Sequence, residues 1–215
     1  MRCDIKPDND KSNNNKNIFN SHTLTKHYRM SYVLGGLFLN ESLIVAGEYT
    51  NQKDWEKTKS QILTENRLQT NMKKSSVRMY REIELRLKTL TDNQLNLLYS
   101  GAVEEKRQIL WLACCKSYRL IFEMATELFE EKAARGERQL ALSDYEAFYT
   151  KKALKSDKLQ YLTQSTRDKL RSVTFKIMRE ADIISKNNEI LPQLVSRQVK
   201  TAIAEENPKL LKIYP

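Results

Sequence analysis

AVEEKRQILWLACCKSYRLIFEMATELFEEKAARG, Ala102 to Gly136, decides the fold. Charged residues crowd both ends, while Trp111, Leu112, Cys115, Tyr118, Leu120, Ile121, Phe122, Met124, Ala125, Leu128 and Phe129 fill the middle. At helical spacing these leave little of the circumference for water, so a helix here must run through the centre of the molecule with other helices around it. Gly136 suits the left-handed residue that closes such a helix. The aromatics belong to this core and form no cofactor box.

The rest of the chain has the composition to surround that helix. Five glycines and four prolines in 215 residues starve hairpins and tight turns, and 40% hydrophobic residues suffice for a packed core. We expect an all-α, mostly helical bundle with at most one short β-hairpin near the C-terminus. Residues 1–26, rich in Asn, Lys, Asp and Ser, read as a disordered leader. Residues 27–100 read as an N-terminal helical domain and 101–215 as a C-terminal one, with the seam at Ser100 to Ala102.

Cap residues place the individual helices. Asn40 is expected to open one, with Ser42 and Leu43 in its first turn, and Asp54 a second, carrying Trp55, Thr58, Ile62 and Leu63. Ser75 or Ser76 is expected to cap a third after the polar connector RLQTNMKK, Ser143 another, and Ser165 or Thr166 the helix TQSTRDKLRSVTFKIMREA. Asn187-Asn188, tolerant of positive φ, suggests the hairpin in DIISKNNEILP. A last amphipathic helix runs from Leu194 to Glu205, and NPKLLKIYP follows as a tail.

Several chemistries are missing from the sequence. Gly35-Gly36 lacks the context of a phosphate loop, no GxSxG appears, and His22 and His27 stand apart from any ligand cluster. Cys114 and Cys115 are adjacent and sit among apolar residues, as reduced core thiols do. The Glu104-Glu105 and Glu130-Glu131 pairs read as solvated faces. We expect a non-enzyme with no cofactor and no metal. The apolar runs YVLGGLFL and ILWLACC fall short of the roughly 18 to 20 residues a membrane helix needs, and MRCDIKPDNDKSNNNKNIFN lacks a signal-peptide core, so a soluble, cytoplasmic protein is expected.

Net charge points to a polyanion without choosing one, since +10 attracts DNA, RNA and anionic lipid alike. Local arrangement is more selective. In NMKKSSVRMYREIELRLKTL, Asn71 to Leu90, a helical wheel gathers Met79, Tyr80, Ile83, Leu87 and Leu90 on one side and Lys74, Arg78, Arg81 and Lys88 on the other. Glu82 and Glu84 flank that stripe instead of alternating through it, so self-neutralising pairing is incomplete. The plainer reading, a solvated face, competes with nucleic-acid contact. Candidate contacts are Arg67 on the connector with Asn66 and Asn71, then Lys73, Lys74, Ser75, Arg78, Arg81 and Lys88. Arg167, Lys169, Arg171, Lys176 and Arg179 of the later helix form a second set. The two helices around the connector resemble a helix-turn-helix, and the later helix with its hairpin the end of a winged helix. Few aromatics interleave the basic faces, which favours backbone contact to duplex over base stacking.

SYVLGGLFLNESLIVAGEY, DWEKTKSQILTENRLQ, SSVRMYREIELRLKTL, ILWLACCKSYRLI, STRDKLRSVTFKIMREADII and ILPQLVS together resemble the BrxA family of BREX phage-defence systems, over about Tyr28 to Ala204. The resemblance implies a small, helical, DNA-binding protein without catalytic residues and with a fold likened to the antitermination factor NusB. It also implies partners among a methyltransferase, an ATPase and a phosphatase-like protein. A protein adaptor without a DNA role, or an RNA-binding protein, are the alternatives.

Overall fold

Two glycines govern how the chain enters its core. After a 3-10 turn at Ser31–Leu34, a Cβ on Gly35 would lie 1.8 Å from the Phe38 ring, and one on Gly36 2.2 Å from Glu180 Oε2. Phe38 itself takes a left-handed φ of 59° and occupies the cap position of α1 (Leu39–Gln52) with no side-chain hydrogen bond. The expected Asn40 cap is therefore corrected: the tight Gly-Gly-Leu-Phe turn, not a polar side chain, starts this helix.

The computed structural model describes residues 27–215, so the expected leader lies outside the described residues. Asp54 opens α2 (Trp55–Thr64) as expected, accepting from the Glu56 and Lys57 N–H groups at 2.9 and 3.2 Å. Residues 65–72 then form a turn in which Asn66 bonds Thr70 through both its amide groups and Asn66 and Gln69 hold positive φ. α3 (Lys73–Leu87) begins ahead of both predicted serine caps. Met72 takes the cap position, and Ser76 is buried in the first turns. α4 (Asp92–Ser100) carries a reciprocal capping box between Thr91 and Gln94.

The long apolar stretch is not one straight helix. It is α5 (Val103–Ser117), a break at Tyr118, α6 (Arg119–Glu123), a π turn at Met124–Leu128 and α7 (Phe129–Ala134). Tyr118 sits in extended backbone, φ −126° and ψ 102°. In the π turn the Phe129 N–H reaches back to Met124 O, and Thr126 Oγ1 donates to Phe122 O at 2.9 Å. Gly136, φ 69°, closes the run as expected. All eleven apolar residues of the middle are buried.

Two further caps are corrected. α8 (Leu142–Ala153) starts ahead of Ser143, and Asp144 accepts the Ala141 N–H at 2.8 Å. After the short α9 (Asp157–Gln160), α10 (Gln164–Glu180) is capped by Thr163, whose hydroxyl accepts from Thr166 N–H, not by Ser165 or Thr166. The hairpin exists as an antiparallel bridge between Ile184 and Ile190 with Asn188 at φ 62°. A third segment pairs on its outer edge, where Leu140 N donates to Asn188 O and Ile190 N to Arg138 O. Among the described residues these isolated bridges are the β structure; no sheet forms. Ser196 caps α11 (Arg197–Ala204), and a 3-10 turn at Pro208–Ile213 docks the tail, its Ile213 carbonyl accepting Trp111 Nε1–H at 3.0 Å.

Buried apolar side chains form one cluster from Tyr28 to Ile213 with α5 at its centre, and α3 packs on α1, α2 and α5. Charges buried in it are paired. Arg86, counted by sequence among the basic side chains of α3, is fully buried: Nε donates to Tyr118 OH at 2.8 Å and Nη1 to Gly36 O at 2.8 Å, with Glu82 beside it. Lys116 meets Glu206 at 2.8 Å, and Lys152 meets Glu123 and Glu127 at 3.0 and 2.6 Å.

Candidate nucleic-acid interface

α3 presents its cations because its acids are occupied elsewhere. Ser76, Tyr80, Ile83 and Leu87 turn inward. Glu82 lies inside with them, accepting from Tyr118 OH, and Glu84 pairs with Lys88 at 2.7 Å. Neither carboxylate reaches Lys73, Lys74, Arg78 or Arg81, which are exposed and have no ion-pair partner among the described residues. Lys74, Arg78 and Arg81 are four and three residues apart, one line along the helix, and Lys88 continues it seven residues on. Ser75 is exposed at the same end.

An aromatic pair borders this line and was not singled out from sequence. The rings of Tyr49 and Trp55 stack at 3.9 Å between centroids, Lys88 Nζ lies 5.4 Å from the Trp55 ring and Lys53 Nζ 5.6 Å from Tyr49. Trp55 precedes the apolar positions of α2 and reads as core by periodicity; the turn at Lys53, with φ 52°, is what swings it against Tyr49.

The other candidate cations, Lys169 excepted, are engaged within the molecule. Arg67 bonds the buried Glu48 carboxylate. Arg167 donates to the carbonyls of Gln160 and Leu162 at 2.6 and 3.0 Å and lies over the Tyr149 ring. Arg171 meets Glu146 and, at 3.1 Å, Asp168; Lys176 meets Glu180 at 3.7 Å; Arg179 donates to Asn188 Oδ1 at 2.7 Å. Lys169 is exposed without an ion pair among the described residues. Exposed pairs are worth about 0–1 kcal/mol, so Lys176, whose partner Glu180 is exposed, can exchange a carboxylate for a phosphate at small cost. Arg67 cannot, because its departure strands a carboxylate only 8% exposed.

Sequence reading also passed over Lys151, Lys155 and Lys158. All three are exposed and unpaired among the described residues, around the turn that joins α8 to α9. Among the described residues no three His, Cys, Asp or Glu side chains are grouped to hold a metal ion, and no helix is long and apolar enough to cross a membrane.

These features define an all-helical protein whose clearest free charge is a cationic helix face. The BrxA family model matches residues 26–207, and the chain belongs to that family. It is 29% identical over 150 residues to the BREX protein BrxA of Bacillus cereus (strain H3081.97), covering 68% of this chain and 74% of that one. A crystal structure of an uncharacterized protein from Magnetospirillum magneticum shares the fold, with a TM-score of 0.73 at 20% identity over 87% of this chain and 98% of the other.

Proposed function

We propose that this protein is a non-catalytic, DNA-binding component of a BREX-type bacteriophage-resistance system, acting in the cytoplasm beside the system's other proteins. One observation carries the reading: Lys73, Lys74, Arg78 and Arg81 form an exposed row whose neighbouring acids, Glu82 and Glu84, are bound to Tyr118 and Lys88. Four ammonium and guanidinium groups left without carboxylates destabilise the native state by mutual repulsion, and a phosphate backbone relieves it. Lys88, Lys169 and Lys176 extend the surface on approach of the duplex. Arg67 and Arg167 hold the scaffold that presents it. Family membership supports the system, and the likeness to a protein titled as BREX protein BrxA supports partners drawn from the same system.

Neutralising four phosphates gives log K against log salt a slope of about −4 on B-DNA. Gel-shift titrations at two salt concentrations measure it. The double variant Arg78→Glu, Arg81→Glu should bind duplex at least about 10-fold more weakly and with a shallower slope, since those side chains touch nothing in the core. Unchanged affinity in that variant moves the site elsewhere. No affinity in the parent, together with co-purification of system partners, makes the protein an adaptor, and tighter binding to single-stranded RNA than to duplex DNA makes it an RNA-binding protein.

A further inference from the structure

The turn between α9 and α10 holds an aromatic ring out into water. Tyr161 is 80% exposed, and among the described residues its side chain has no hydrogen-bond or ring partner. Its backbone, by contrast, is fixed. Leu159 is fully buried and its carbonyl accepts Tyr149 OH at 2.7 Å, while Arg167 donates to the carbonyls of Gln160 and Leu162 at 2.6 and 3.0 Å, one on each side of Tyr161. The Tyr161 N–H donates to Asp157 O at 3.0 Å. Arg167 is thus a clamp on the loop that carries the ring. Lys151, Lys155 and Lys158 precede it in the chain, all exposed, and Asp157 is the one acid between residues 151 and 161.

Because its backbone is already pinned, the ring gives up only its own side-chain rotamers when it binds, so ordering offsets only part of the stacking. The lysines favour an anionic partner. A lipid surface is a poor match, because Leu154 and Tyr161 are the two large apolar side chains exposed on the turn, too few to anchor an interfacial helix. A nucleobase presents a flat π-face beside a phosphate, which suits one ring and flanking cations. Bases inside a duplex are covered by their neighbours, so the partner must be single-stranded, overhanging or flipped. We infer that Tyr161, clamped by Arg167 and flanked by Lys155 and Lys158, is a stacking platform for an unpaired base of the bound nucleic acid. This inference rests on the nucleic-acid reading above and adds to it a preference for strands with accessible bases.

The test uses the full chain with a single-stranded oligonucleotide carrying 2-aminopurine and the blunt duplex of the same sequence. Tyr161→Ala should weaken single-strand binding about 10-fold, abolish the 2-aminopurine quenching and leave blunt-duplex affinity unchanged. Tyr161→Phe should retain all three. If Tyr161→Ala binds the single strand as tightly as the parent while Arg78→Glu, Arg81→Glu loses both ligands, the platform is overturned and the DNA-binding row stands. If the parent binds neither oligonucleotide, both fall. Loss of partner co-purification with oligonucleotide affinity intact assigns the ring to a protein interface and overturns the inference.

Discussion

Arg86 shows what a single side chain can conceal. By position it belongs to the basic residues of α3, yet it is fully buried, and its contacts to Gly36 and Leu37 carbonyls tie α3 to the turn before α1. Its guanidinium also lies 5.3 Å from the Phe38 ring. Removing one partner of a buried charged pair costs about 3–5 kcal/mol because the other charge is left uncompensated. Arg86→Met should therefore lower stability by that amount in urea unfolding, and Glu82→Gln on top of it should recover part of the loss. A further loss in the double variant would mean that Glu82 is held by Tyr118 and Ser31 without need of the arginine. Periodicity sets Arg86 beside Met79 and Leu90 and apart from Arg78 and Arg81, but that it is fully buried depends on partners contributed by distant segments. The GGLFLNES motif is similar: it carries the family resemblance, but its reason is steric, the space taken by Phe38 and Glu180.

Helix starts are where element-level reading fared worst, and one recurring reason is local. Backbone N–H groups at a helix start can be served by a residue inside the first turn reaching back, and a scan for Ser, Thr, Asn or Asp ahead of the helix misses it. Asp144 does this for Ala141, and Glu105 for Ala102 at 2.9 Å. Glu105 also receives Ser196 Oγ at 2.6 Å, linking the starts of α5 and α11. The Ser196 hydroxyl and the Ala102 N–H hold the Glu105 carboxyl below its ordinary 4.5. Burial pushes Asp144 upward, but the Lys132 ammonium and the Ala141 N–H outweigh it and leave the group below 3.8. A carboxylate depressed on folding contributes stability above its unfolded value and loses it as pH falls through the folded one. Thermal unfolding should show Glu105→Gln less stable than the parent at pH 7, with the gap closing below about pH 4.5; a gap that persists at pH 3 would deny the ionised contact its role. Asp54, a cap ahead of its helix, was placed correctly from sequence, whereas Thr163, also ahead of its helix, was set two or three residues too late.

At the scale of the molecule, the helical class and the core of the central stretch were legible because composition and apolar density are properties of sequence. The division of the candidate cations was not, because pairing is a property of packing: Arg67 finds Glu48, and Arg171 finds Glu146, across gaps that no local window spans. The tail was equally illegible. Leu210 and Ile213 are fully buried, each worth about 1.5–3 kcal/mol, and the Ile213 carbonyl receives the Trp111 indole. Truncation after Asn207 should lower the midpoint of unfolding and shift Trp111 emission to longer wavelength, whereas Trp55, on the surface stack, should not respond. Because α4 and α5 pack on each other and share buried partners, chemical unfolding should follow a single transition by both fluorescence and circular dichroism. Two separated transitions would mark residues 27–100 and 101–215 as units that fold apart.

The π turn at Met124–Leu128 amounts to a helix with one residue more than its ladder can use. Excise that surplus residue, and everything downstream rotates by about 100° and retreats by about 1.5 Å, carrying Gly136 and the segment that edges the hairpin away from their neighbours. Deleting that residue is therefore disfavoured, so the wide turn is expected in relatives that keep the seam of residues 138–140 against 188–190.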